Sequence, residues 1–320
     1  MSSQDFPPAP YPLFAEGGGQ DSLIPMVRTR ERYWLHALLF AVTFFTTTVV
    51  GSAMQFDFAR NLPFDLESAF TMYGLLWRQP ALLLTGLPYS LTLLIVLLAH
   101  EMGHYLASLY HHVDSSPPYF LPFPVLGTFG AFIRVRSPIY SRRALFDIGV
   151  AGPLAGFVFL LPALSVGLAF SKVIPNIAHQ GTVQFGVTGL EWLLERTIFP
   201  GVNPADIYLH PVARAAWVGM FATALNLLPI GQLDGGHVLY SFFPGRHRTI
   251  SKLICVALLP LGYYWPGWVL WGIVLLWLGR RHPVICDDFP LSEGRLRLGI
   301  LALVVFILCF TYAPFTPGGL

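Results

Sequence analysis

The chain carries His100-Glu101-Met102-Gly103-His104 at the end of an apolar run with no charged residue between Arg78 and Glu101. On a helix, His100 and His104 lie one turn apart on a single face. Two imidazoles so placed can bind one Zn²⁺. Glu101, on the neighbouring edge, can accept a proton from water that the metal acidifies. A histidine pair at this spacing is often no more than a solvated helix face. Ionisable groups at membrane depth are expensive, however, and mark functional positions. Zinc needs more than two protein ligands, so a third must come from elsewhere in the chain.

The best-placed donor follows a second apolar run, in Asn226-Leu227-Leu228-Pro229-Ile230-Gly231-Gln232-Leu233-Asp234-Gly235-Gly236-His237. Pro229 and Gly231 break a helix and free backbone carbonyls that lipid cannot satisfy. Asp234 comes directly after the break, beside two glycines that permit close approach. A carboxylate is the usual companion of two histidines in hydrolytic zinc sites, which favours Asp234. His237 is the rival ligand, and a helix cap or turn is the plain alternative for Asp234.

Membrane helices must position these groups. Of 320 residues, 54% are hydrophobic and only 11% charged, and the mean hydropathy is +0.60. Soluble domains carry about 25% charged residues. The chain reads as an integral membrane protein whose surroundings are a lipid bilayer. A net charge of +2, with no basic patch interleaved with aromatics, points away from nucleic acid. Cys255, Cys286 and Cys309 have no ligand spacing and read as free thiols, Cys286 beside His282 being too isolated for a second metal site. His36, His179, His210, His247 and His282 have no partner pattern, and His111 and His112 read as solvated or dipole-facing. The first 27 residues are rich in Pro and Gly and lack the apolar core of a signal peptide.

Apolar runs near 33–51, 84–110, 146–170, 213–228, 250–261, 268–278 and 296–310 predict spans, the two before the last being short and joined by a tight turn. A mixed loop holding Asp57, Arg60, Asp65 and Glu67 follows the first span, and residues 69–87 read as interfacial. With the N-terminus in the cytoplasm, only Arg60, Arg78, Lys172, Arg196 and Arg214 of the 19 basic residues fall outside. The rest, among them Arg134, Arg136, Arg246, Arg248, Lys252, Arg280, Arg281 and Arg295, fall inside, as the positive-inside rule requires. Spans two and four then end on the cytoplasmic side, with His100 about 15 Å inside the end of its helix. The predicted fold class is an all-α polytopic membrane protein of about six to seven transmembrane helices, with a small membrane-dipping β-hairpin between the second and third. It divides into a flexible cytoplasmic tail (1–32), a first span and outer loop (33–83), a catalytic core of three transmembrane helices (84–240) and accessory C-terminal helices (241–320).

In this order, His100-Glu101-x-x-His104 and Asn226-x-x-Pro229-x-x-x-Leu233-Asp234-Gly235 resemble the site-2 protease family of intramembrane zinc metalloproteases. Gly127-Thr128-Phe129-Gly130 resembles that family's Gly-x-Phe-Gly loop, and Gly152-Pro153-Leu154-Ala155-Gly156 its Gly-Pro-x-x-Gly motif. The likeness covers about residues 85–240. It implies His100, His104 and Asp234 as ligands to one zinc per chain, Glu101 as base, and Asn226 as the residue that holds the substrate carbonyl or oxyanion. It also implies transmembrane protein substrates, anchors of membrane-tethered regulators already trimmed by another protease, in a bacterial plasma membrane. Many bacterial members insert a PDZ domain in the outer loop, for which residues 172–208 are too few, so substrate selection must differ here. The rival class is a metal-dependent scaffold or transporter that cleaves nothing. A transporter would show paired broken helices, and a scaffold would need neither Glu101 nor Asn226. Oligomeric state is not legible in the sequence.

Residues 117–138 are too apolar for a solvated loop and too proline-rich for a helix. Aromatic and β-branched residues around paired glycines predict a hairpin. A protease acting on a helix must expose its amides, and a free strand edge can capture them by β-addition. Strand 129–135 is the expected substrate aligner, with Gly127, Phe129, Gly130, Ala131, Phe132 and Ile133 as contacts. A greasy interfacial loop that plugs the bundle is the plain alternative. Gly152, Ala155 and Gly156 read as small residues that let helices pack, and Arg134 and Arg136 as interfacial anchors.

Overall fold

Long apolar helices dominate the computed structural model, which describes residues 31–63, 65–278, 285, 287 and 289–317. The expected N-terminal tail up to residue 30, and Arg280, Arg281, His282 and Cys286, lie outside the described residues. Contacts gather residues 33–320 into one unit. In chain order its helices are α1 (Tyr33–Arg60), α2 (Leu66–Leu76), α3 (Leu87–Tyr110), α4 (Arg142–Ala169), α5 (Gly189–Ile198), α6 (Pro211–Asn226), α7 (Asp234–Phe242), α8 (His247–Leu261), α9 (Gly267–Leu278) and α10 (Glu293–Cys309). The strands are β1 (Tyr119–Phe123), β2 (Gly127–Phe132), β3 (Lys172–Val173), β4 (Val183–Phe185), β5 (Ile207–Tyr208) and β6 (Phe315–Pro317).

Three helical stretches are long and apolar enough to cross a bilayer: Tyr33–Arg60, Pro80–Tyr110 and Arg142–Ala169. The second joins a 3₁₀ turn, Pro80–Gly86, to α3. At 1.5 Å per residue, the 16 residues of α6 reach only about 24 Å. The first span runs nine residues past its expected end. Asp57 and Arg60, expected in a loop, belong to α1, and Asp57 is buried. Within residues 69–87, expected to be interfacial, α2 buries Ala69 and Met72, and the 3₁₀ turn Pro80–Gly86 leads straight into α3.

The core forms where α3, α4 and α6 meet, α3 packing most extensively on α4. Ala213, Ala215 and Ala216 are fully buried on α6; such small residues allow the close backbone approach that membrane packing relies on. Antiparallel β1 and β2 form the hairpin between α3 and α4, with Phe120 opposite Ala131 and a bulge at Leu121/Pro122. Thr46 Oγ1 donates to the Gly127 carbonyl (2.6 Å) and Tyr89 OH to that of Leu126 (3.0 Å), so α1 and α3 pin the turn. Between α4 and α6 lies a small cap in which β3 pairs with β5, and β4 pairs with β6 from beyond α10.

Candidate metal centre and substrate cleft

The α3 helix places its two histidines as their spacing predicts, and the break after α6 brings the third donor to them. The chain leaves α6 at Asn226, turns through Pro229 and Gly231 (φ 55°), and starts α7 at Asp234. A side chain on Gly235 would overlap the Leu227 carbonyl, so glycine lets α7 fold back onto the break. Asp234 Oδ2 then lies 3.2 Å from His100 Nε2 and 3.2 Å from His104 Nε2, and the two Nε2 atoms are 3.1 Å apart. Among the described residues these three are the group of donors that converges closely enough for a metal ion. His237 lines the same cavity but is not of that set.

The donor set fits zinc. Ligand bonds of about 2.0–2.1 Å in a tetrahedron set donors about 3.3 Å apart, near the spacing found. His104 Nδ1 lies 2.7 Å from the Ile148 carbonyl, an acceptor only, so Nδ1 carries a proton and Nε2 is the ring atom left to take a metal. Nε2 faces a carboxylate oxygen, an arrangement that a metal ion or a proton between them satisfies. Gly152 seats the ring, since a methyl group there would overlap His104 Nε2, and Gly156 lies against His100. The Gly-Pro-x-x-Gly segment of α4 thus does more than allow helix packing.

Glu101 is 4% exposed and faces the backbone of Ile133. Asn226 Nδ2 lies 3.3 Å from His100 Nε2. A cavity of about 220 Å³ gathers His100, Glu101, His104, Asn226 and Asp234 with Ala131, Phe132 and Ile133. A larger apolar cleft of about 380 Å³ shares His100, Glu101, Asn226 and Ala131 and adds Thr128, Phe129 and Gly130. Its far wall is α9 with Trp265 and Trp271, which sequence reasoning missed. Strand β2 ends at Phe132, short of the expected 135, though a bridge between Ser115 and Val135 prolongs the pairing. Gly127 and Gly130 have φ of 89° and 113°, and Phe129 is 70% exposed. No third strand pairs with β2 among the described residues.

A second cluster also escaped the sequence. His111, expected to be solvated or dipole-facing, caps the C-terminus of α3 and lies 2.8 Å from Asp147 Oδ2, and Arg295 grips both oxygens of Asp147 at 2.8 and 2.6 Å. It joins the ends of α3, α4 and α10. Arg136 pairs with Asp114 at 3.6 Å. Asp147 was the available signal, a lone acid within an otherwise apolar segment.

The profile of peptidase family M50 matches residues 88–261. The chain is 31% identical over 306 residues to "Probable zinc metalloprotease EGY1, chloroplastic" of Oryza sativa subsp. japonica, covering 91% of this chain and 52% of that protein. To the Arabidopsis thaliana protein of that name it is 28% identical over 308 residues, 91% of this chain and 54% of the relative. To "Probable zinc metalloprotease EGY2, chloroplastic" of Arabidopsis thaliana it is 30% identical over 279 residues, 82% and 47%. The chain spans about half the length of these curated relatives. On the match across more than half its length, with a His-His-Asp donor set among apolar helices, the chain belongs to peptidase family M50, a family of zinc metalloproteases.

Proposed function

We propose that this protein is an intramembrane zinc metalloprotease that hydrolyses peptide bonds in or near the transmembrane segments of membrane-anchored proteins. The convergence of His100, His104 and Asp234 carries the reading. These would hold one zinc per chain, which when bound acts as a Lewis acid and lowers the pKa of water. Glu101, one residue from His100 and buried, accepts the proton from the attacking water and returns it to the leaving amine. The Asn226 amide donates to the carbonyl oxygen as charge develops there. The free edge of β2, from Gly127 to Phe132 with Ile133 beyond it, aligns an unwound substrate segment in the apolar cleft. Residues 84–240 are the catalytic core, and the later helices close the cleft.

Seven crossings, with the metal near the side where basic residues collect, fit the strand pairing. β4 and β6 hydrogen-bond to one another and so share a side, which requires an even number of crossings between them. Crossings by α6, α8, α9 and α10 satisfy this. The α8–α9 turn supports the same reading: Trp265 packs on Phe315, and Trp268 Nε1 donates to the Tyr312 carbonyl at 2.7 Å.

The test is cleavage of a reconstituted transmembrane substrate by wild type, Glu101→Gln and Asn226→Ala, with zinc measured in each. We expect zinc to be retained in both variants. Turnover should fall by several orders of magnitude in the first and by about 10²–10³ in the second. Undiminished cleavage by Glu101→Gln would sink the proposal.

A further inference from the structure

A second cleft, of about 350 Å³, opens between the first turns of α8 and the last turns of α9, away from the cavities that hold Glu101. Arg248 and Lys252 stand four residues apart on its rim, both exposed. Ile230, Cys255, Leu275 and the Ser251 hydroxyl make up most of the remaining wall, and among the described residues no carboxylate lines it. Among the described residues neither cation has an ion pair. Two like charges one helical turn apart repel, so this arrangement is relieved by an anion. From the rim, α8 continues outward through exposed Leu253 and Val256, at 64% and 55%. The site therefore combines a cationic mouth, an apolar wall and an adjoining lipid-facing flank.

We propose that this cleft binds the phosphate headgroup of an anionic membrane lipid and that its occupancy steadies the loop carrying Asp234. Basic pockets between transmembrane helices recognise such headgroups. The flank favours a lipid over a soluble anion, because acyl chains can lie along Leu253 and Val256 while the phosphate meets Arg248 and Lys252. The link to the loop is Ser251, whose Oγ donates to the Pro229 carbonyl at 3.2 Å and accepts from Gly231 N–H at 3.5 Å. Ile230, 1% exposed, is the floor of the cleft. Pro229, Ile230 and Gly231 are the break that delivers Asp234, four residues beyond Ile230. A headgroup that holds α8 therefore holds the metal donor through one side chain.

The steadying of Asp234 rests on its reading as a metal ligand, whereas lipid binding does not. The test uses the full chain in vesicles of phosphatidylcholine alone or mixed with phosphatidylglycerol. Lipid adducts are counted by native mass spectrometry, and zinc release to a chelator is timed. We expect phosphatidylglycerol adducts and slower zinc release in the mixed vesicles. In Arg248→Gln/Lys252→Gln, adduct formation should weaken on the order of tenfold and the slowing should vanish. Arg143→Gln/Arg297→Gln, with equal charge loss elsewhere, should retain both effects. Equal loss in this control would show diffuse surface attraction and overturn the site. Inorganic phosphate reproducing the slowing in phosphatidylcholine vesicles would overturn the lipid assignment. Adducts without any change in zinc release would overturn the link through Ser251 and leave the protease reading untouched.

Discussion

His104 donates its Nδ1 proton to the backbone carbonyl of Ile148 across 2.7 Å, and this bond between α3 and α4 decides which ring nitrogen faces Asp234. Second partners of this kind fix tautomer and ring orientation, and losing one typically costs ten- to a hundredfold in metal affinity.

Gly152→Ala tests that seat without replacing a ligand residue. The added methyl overlaps His104 Nε2 and pushes the ring off its bond to Ile148. Zinc affinity should fall by roughly ten- to a hundredfold while the protein remains helical. Metal titration alongside circular dichroism checks this, and wild-type affinity would show that α4 yields around the methyl.

Asp234→Ala should lower zinc stoichiometry far more than His237→Ala. Asp234 Oδ2 touches both imidazoles, whereas His237 lines the cavity outside that donor group. Metal analysis of the two purified variants decides the matter, and the reverse order would make His237 the ligand.

Proline scanning along 129–135 probes the free edge of β2. Proline removes one amide donor and is tolerated only where that donor faces away from the ladder. Substitutions whose N–H points away from β1 should abolish cleavage while zinc content and Tm stay near wild type. Unchanged turnover at every position would exclude the strand from substrate binding.

The cap between α4 and α6 should show its own pH dependence. Burial, and then the neighbouring Glu195, push the Glu191 carboxyl up to about 8; burial pushes Glu195 up to about 7. An unfolded glutamate titrates near pH 4.3, so the folded cap keeps protons that the unfolded chain has released. Its stabilisation is full below about pH 4 and is lost as pH rises through about 7 and 8. The Tm should fall between pH 5 and pH 8.5, and Glu195→Gln should flatten the curve. A wild-type Tm that climbs over that window would refute the assignment.

The donor set was legible because its parts are local. Helical spacing puts His100 and His104 on one face, and a proline and a glycine just before Asp234 announce a break in a helix that had to end near the metal. The hairpin was legible from prolines and glycines where a span could not continue. What the sequence concealed is long-range. Asp147 meets His111 across 36 residues and Arg295 across 148, and no periodicity encodes such pairs. The run of α1 to Arg60 was hidden because Asp57, polar by type, is buried by tertiary packing. Trp265 and Trp271 read as part of a short hairpin, and only the fold turns them into the wall of the cleft.

The pairing of β4 with β6 also sets an order of assembly. The strand that β4 needs emerges only after α6 through α10 have been synthesised. Phe315, next to β4 and in the wall of the cleft, arrives with it. The zinc donors are complete by Asp234, so the nascent chain can take up metal long before the cleft is walled. In chain order, therefore, closure of the cleft at Phe315 follows completion of the donor group.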